Sequence, residues 1–474
     1  MNQDPQKLYE QQQQVFDEYR QKNPQMLENP KKLTEAELFP VIGILNLPPK
    51  RPQGYIRLFP QDFIVEEVEP NEIISTIEPT EDNKINLVSI SPIKDKFHLH
   101  CSLVKVKFST LEAINFLAQK FNLKSQQIGH AGIKDVFAIT SQKISLPQVY
   151  PEQIQNLKTA NFYFKNFSFQ NEQVATGYLL GNRFTITIRT EKEIDPNWLK
   201  QQLVQMKTNG ILNYFNTQRF GAPRFIAHKL GFLLVEQKYE EAVRAMLIHS
   251  NNEIKLIQHL RKQAEKKWQQ WTEMKTILKT LPITFANEIK ILEYLEKDPQ
   301  NFKGVFYDQP EKTKLYFRAY GSYIFNNYIS QKDQEKQLPK KTPLPLTDDP
   351  HVYGIYKKWH KISYKNFSQG INAFNFLPKT KLDLKTKLYP QEIKAMTTDQ
   401  GCIIHFTLPK GAYATTLLTN LFELSEGMPI PQWIKTKEID AKNMLQMGTY
   451  QSLKNIFDPE LFQNQELERL NLNN

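Results

Sequence analysis

Two changes of hydrophobic period within one stretch constrain this chain's fold more than any other feature. In KFHLHCSLVKVKF, Phe97, Leu99, Cys101 and Leu103 alternate with His98, His100 and Ser102, the two-residue period of a strand. In STLEAINFLAQKF the period lengthens. Ile114, Leu117, Ala118 and Phe121 share one helical stripe, and Ser109 with Glu112 fits a capping box. A short polar turn follows, then the glycine-bearing stretch GHAGIKDVFAITSQ, and AITSQKISL returns to strand character. The order is strand, helix, loop, strand, and the loop carries Lys134 and Asp135. A loop on a rigid scaffold is where functional side chains concentrate. Taken by itself, Asp135 also fits an ordinary surface turn.

The rest of the chain extends the pattern. GNRFTITIRT alternates Phe184, Ile186 and Ile188 with Arg183, Thr185, Thr187 and Arg189, which predicts a half-buried strand with a polar, cationic face. Residues 236–300 read as charged helices, and RKQAEKKWQQWTEMK reads as a solvated helix face. LPKKTPLPLTDDP marks a loop, GCIIHFTLPKG a last strand, and ATTLLTNLFEL an amphipathic helix through Leu417, Leu418, Leu421 and Phe422. At 474 residues the chain exceeds one average domain. The expectation is an α+β body interrupted by a helix-rich second domain. Residues 1–50 form an appendage, either disordered or docked as a helix.

The formal net charge is +11 and the isoelectric point about 9.2, a balance that favours polyanionic partners through counterion release. The two cysteines, Cys101 and Cys402, are too few and too far apart for a zinc set or a disulfide framework. The histidines are scattered, so no structural metal is expected. No apolar run reaches membrane-spanning length, and MNQDPQKLYEQQQQ lacks the apolar core of a signal peptide. The reading is a cytoplasmic protein in a reducing environment, expected to be a monomer.

GHAGIKDVFAITSQ resembles the signature of the TruD-type pseudouridine synthases, through Gly129, Gly132, Lys134, Asp135, Ala138, Thr140 and Gln142. Five further stretches resemble that family's motifs in its order. FPQDFIVEE matches through Asp62, Phe63, Val65 and Glu66, and GYLLGNRFTITIR through Gly181, Asn182, Arg183 and Phe184. ILNYFNTQRFG matches through Asn213, Tyr214, Phe215, Gln218, Arg219, Phe220 and Gly221. LYFRAYGSYIFNNYIS matches through Ala319, Tyr320, Ser322, Tyr323, Phe325 and Asn326, and HFTLPKGAYATTLL through Phe406, Leu408, Pro409, Gly411, Ala414 and Thr415.

The resemblance implies a pseudouridine synthase catalytic domain with a mixed, largely antiparallel sheet, formed by 51–235 and 376–474. A family-specific TRUD domain would be inserted at 236–375. It implies an isomerase that turns uridine into pseudouridine in tRNA, usually uridine 13 of the D-arm, with no metal or organic cofactor. Asp135 takes the catalytic place. Phe63, Phe215 and Phe406 match aromatic positions around the pocket, and Asn213 an amide for the uracil edge. Arg57 is the cation expected beside the carboxylate, and Lys134 steadies the backbone or meets a phosphate. Arg183 and Arg219 either bind phosphate or brace loops, and Gly411 stands before a helix that could receive one.

The chain also departs from the family pattern. Val136 replaces a usual basic residue, Arg57 a usual lysine, and Leu212 and Asn216 the Pro and Gly that often flank Asn-Tyr-Phe. A catalytically inactive RNA-binding protein and a synthase for another RNA remain the alternatives.

Overall fold

The computed structural model describes residues 5–30, 33–48, 50–79, 97–155, 157, 159–250, 252–377, 382–464 and 467. The chain forms two compact units, Pro48–Ile211 with Lys387–Asn474, and Met1–Leu47 with Leu212–Thr386.

Seven strands form the spine of the first unit. They are β1 (Phe63–Val68), β2 (His98–Val106), β3 (Ile139–Pro147), β4 (Phe162–Gln170), β5 (Gly181–Arg189), β6 (Gln391–Thr398) and β7 (Gly401–Pro409). Their spatial order is β6-β7-β5-β1-β3-β2-β4, and four shorter strands bring the sheet to eleven. Within this spine only β1 and β3 run parallel, with Ile64 opposite Ile139. The fold is α+β with a mixed, largely antiparallel sheet. The helix Thr110–Lys120 connects β2 toward β3, and Ser109 with Glu112 closes its capping box.

The sequence predicted a half-buried β5 with a polar, cationic face. The structure buries that face, with Thr185, Thr187 and Arg189 each about 1% exposed. Alternation reveals which residues share a side, not whether the side is covered, and β5 lies inside the sheet between β7 and β1. Glu66 on the adjacent β1, and Asp62 just before that strand, supply matching acids. Arg189 donates from Nε and Nη2 to the two oxygens of Asp62 at 3.2 and 3.1 Å. Arg183 donates to Glu66 Oε2 at 3.0 and 2.7 Å. Lys442, wholly buried, lies 2.6 Å from Glu66 Oε1 and 2.6 Å from Glu78 Oε1. Arg183 is thus a brace inside the sheet.

These cations give the acid response a sign. Burial pushes the Glu66 carboxyl up, but Lys442 and Arg183 outweigh it and hold the group below its ordinary value of 4.5. A carboxylate depressed on folding contributes stability above its unfolded value, and that contribution is lost as pH falls through the lower folded value. Urea midpoints should therefore fall for the wild type below about pH 4.5. A Glu66→Gln variant should start less stable at neutral pH and show a shallower fall; equal slopes would remove Glu66 from the acid response.

The second unit is helical around one apolar core. Tyr214, Phe220, Leu230 and Leu234 are buried in it. For that reason the compact units divide after Ile211 and Thr386, where the sequence drew boundaries after 235 and 375. The described residues of Met1–Leu47 cluster with this unit as well. Gln12 of the helix Pro5–Lys22 accepts from the main-chain nitrogens of Ile283 and Thr284 at 3.1 and 2.9 Å. The solvated face expected at RKQAEKKWQQWTEMK is partly internal. Arg261 is 3% exposed and donates to Glu253 and Glu288, and Trp271 packs in the core. ATTLLTNLFEL yields only the five-residue helix Ala414–Leu418, and Leu417, Leu418 and Leu421 are buried. Among the described residues no helix is long and apolar enough to cross a membrane.

Candidate active site

The stretch Gly129–Ala138 links the short strand Gly129–His130 to β3, and it is tied down from several elements. Gln142, on β3, donates to the Gly132 carbonyl at 2.9 Å and accepts from the Thr110 hydroxyl at 2.8 Å. Thr110 Oγ1 also accepts from the Lys134 main-chain nitrogen at 3.1 Å. Lys134 turns inward, where its ammonium lies 2.6 Å from Glu67 Oε2 on β1, both side chains buried. It is therefore occupied inside the protein and does not face a phosphate. Asp135, the next residue, takes a different partner.

Asp135 Oδ1 accepts from Arg57 Nη2 at 2.7 Å, with 29% of the Asp135 side chain exposed. Its other oxygen, Oδ2, has no hydrogen-bond partner among the described residues. Arg57 is aimed from two further directions. Its Nη1 pairs with Glu426, and its guanidinium lies 3.9 Å from the centre of the Phe63 ring. The Arg57 backbone is left-handed, with φ of 59°, a conformation that costs a non-glycine residue about 1–3 kcal/mol. Surrounding contacts must hold it there. One carboxylate is thus fixed by a guanidinium on one oxygen and open on the other. That arrangement suits nucleophilic attack or proton removal by an ionised carboxylate.

Among the described residues no group of three or more His, Cys, Asp or Glu is arranged to hold a metal ion. The family model described as "tRNA pseudouridine synthase D (TruD)" matches residues 49–345. The chain belongs to the TruD family. Membership assigns it to the tRNA pseudouridine synthases, which are isomerases. A relative from Methanococcus aeolicus, "Probable tRNA pseudouridine synthase D", is 28% identical over 396 residues, covering 78% of this chain and 95% of the relative. The tRNA pseudouridine synthase D of Aquifex aeolicus is 24% identical over 379 residues, covering 70% and 93%. The crystal structure of a TruD-type protein from Methanosarcina mazei aligns with a TM-score of 0.57 at 22% identity, covering 81% of this chain and 97% of that one. That likeness speaks to the fold.

The remaining residues of the TruD motifs fall in different settings. Phe63 and Phe406 are 1% and 0% exposed. Phe63 meets Phe184 edge-on at 6.3 Å, and Phe184 stacks on Phe406 at 5.4 Å. Both rings belong to the core, so in this conformation neither offers a face for stacking; Phe63 instead supports Arg57. Asn213 and Phe215 belong to the helical unit. Asn213 donates from Nδ2 to the Lys385 carbonyl at 2.8 Å. Phe215 is half-buried, 5.6 Å from Phe325, and Arg219 lies over its ring at 5.5 Å. Buried Asn326 clamps that loop, accepting from the Phe215 nitrogen and donating to the Phe215 and Ile42 carbonyls, each at 2.9 Å. Gly411 adopts φ of 81° before the five-residue helix, which is too short to supply the phosphate site expected there.

Sequence reading passed over Glu67, Thr110, Glu426 and Lys105. Glu426 has no local signal. Lys105 had one, since it continues the two-residue step of Leu99, Cys101 and Leu103.

The two signature glycines differ physically. A Cβ on Gly129 would stand 2.4 Å from Ser145 Oγ and 2.5 Å from the Val174 carbonyl, whereas one on Gly132 would meet only Lys134 Nζ at 3.9 Å. Gly129→Ala should cost about 1–3 kcal/mol by overpacking, and Gly132→Ala much less. Paired thermal melts read this directly, and equal melting temperatures for the two variants would refute it.

Proposed function

We propose that this protein isomerises uridine to pseudouridine in tRNA, at uridine 13 of the D-arm, with Asp135 as the reacting carboxylate and no cofactor. The observation that carries the reading is the divided carboxylate: Oδ1 held by Arg57 at 2.7 Å, Oδ2 open on a partly exposed side chain. The reaction must break the bond between uracil N1 and ribose C1′, turn the base and rejoin it through C5. An ionised carboxylate serves that chemistry either by attack on C1′ or by taking a proton from the sugar. In both, positive charge growing on the ribose faces a fixed anion. Arg57 aims the carboxylate by donating to its Oδ1.

A uridine in folded RNA must leave its stack to reach such a group. In this reading Asn213 offers an amide, and Phe215 an aromatic face, to the RNA. The sheet-bearing unit is the catalytic domain. The helical unit, with its lysine-rich surface, is the family's inserted domain and contacts tRNA backbone. The +11 charge supports a polyanionic substrate, and the site of action is the cytoplasm.

The test incubates purified protein with unmodified tRNA in EDTA and maps pseudouridine chemically. Product at one D-arm uridine is expected. Tight tRNA binding with no product would favour a binding protein, and product at another uridine a different target. Loss of product on chelation alone would count against the metal-free reading.

A further inference from the structure

We infer that Lys105 is a positioning residue for this reaction: from inside the sheet its ammonium holds the main-chain oxygen of Asp135 and so sets the direction of the Asp135 carboxylate. The inference rests on the catalytic reading of Asp135 given above.

Lys105 is the penultimate residue of β2 and is 0% exposed. Its Nζ donates to the Asp135 carbonyl at 2.7 Å. Among the described residues that is its one hydrogen-bond partner, and no carboxylate forms an ion pair with it. An ammonium taken from water without a carboxylate partner is costly to bury. A methionine would fill the same column beside Leu103 and Cys101 without that cost. The charge is therefore unexplained by packing and is explained by its target.

The anchors on the loop complement one another. Gln142, Thr110 and Glu67 hold Gly132 and Lys134, which precede Asp135. Lys105 holds the carbonyl on the other side of the Asp135 Cα. With Lys134 held through its main-chain nitrogen and its ammonium, and the peptide after Asp135 held by Lys105, the direction of the Asp135 Cα–Cβ bond is restricted, and Arg57 meets the carboxylate. Small errors of aim at a reacting group are expensive in rate.

A titration accompanies the geometry. Burial pushes the Lys105 ammonium down to about 8, opposed by the charges of Asp135 on the loop and Glu112 on the Thr110–Lys120 helix, and aided by Lys134. As pH rises through that value the cation becomes an amine and its hold on the carbonyl weakens.

Single-turnover rates with enzyme in excess, tRNA dissociation constants and pH profiles separate the roles, using wild type, Lys105→Met and Lys105→Arg. Lys105→Met should turn over about 10- to 100-fold more slowly, bind tRNA within about two-fold of wild type and keep its melting temperature. The wild-type rate should fall as pH rises through about 8, and Lys105→Met should lack that limb. Lys105→Arg, which keeps a charge, should recover part of the rate and move the limb upward. A Lys105→Met rate equal to wild type, or a loss of affinity in place of rate, would overturn the inference while leaving the reaction itself standing. If Lys105→Met fails to fold, the wild-type profile and Lys105→Arg decide, and a flat wild-type profile through pH 8 rejects the role. No product from wild type at any pH would overturn both this inference and the reading beneath it.

Discussion

Replacing Asp135 with Asn should slow pseudouridine formation by on the order of 10³-fold or more while tRNA binding changes by only a few-fold. The amide has the shape of the carboxylate, and its oxygen can still accept from Arg57 Nη2, so the loop keeps its form. The charge and the nucleophilic oxygen are gone. Lys134, Thr110, Gln142 and Lys105 anchor the loop through atoms that the substitution leaves in place. Binding and chemistry should therefore separate cleanly. The measurement is a single-turnover rate beside a filter-binding isotherm. A variant that retains a tenth of the wild-type rate would remove Asp135 from the chemistry.

The second large effect is on stability. Arg189→Met should destabilise the sheet-bearing unit by about 3–5 kcal/mol, because it strands the Asp62 carboxylate in the interior. Arg189 bridges both oxygens of Asp62 and donates to the carbonyls of Lys435 and Lys437 at 2.7 and 3.0 Å. Those acceptors lose the guanidinium together, which leaves Asp62 Oδ2 with the Phe59 main-chain nitrogen at 3.1 Å, and both charged side chains are 1% exposed. The double variant Asp62→Asn with Arg189→Met should recover part of the loss, since no bare charge then remains. Urea titration of the wild type, Arg189→Met and the double variant measures this. A single-variant cost below about 1 kcal/mol would mean that water reaches the pair.

What the sequence disclosed and what it withheld follow one physical division. The strand containing Lys105, the capped helix after it and the loop bearing Asp135 are written in patterns a few residues long. Each survives folding because the capping box and the alternation are satisfied locally. Whether a face is covered is decided at a distance. The polar side of β5 looked solvated because its partners lie elsewhere: Asp62 and Glu66 on or beside β1, Lys442 near the C-terminal end. Arg261 misled in the same way, its acids Glu253 and Glu288 lying on different elements. The site divides likewise. Arg57 and Asp135 could be paired on motif positions, but the supporting Glu426 comes from far along the chain. Motif position marked Phe63 and Phe406 as aromatic without revealing that both rings are sealed in the core.

The inward pairing of Lys134 with Glu67 bears on how such chains can diverge. A change at either position alone leaves a lone ion in the interior, so drift there needs two coordinated substitutions. A lysine preceding the aspartate then reports the electrostatics of the neighbouring strand. The lysine of that dipeptide can therefore persist for structural reasons in a chain whose aspartate has been replaced.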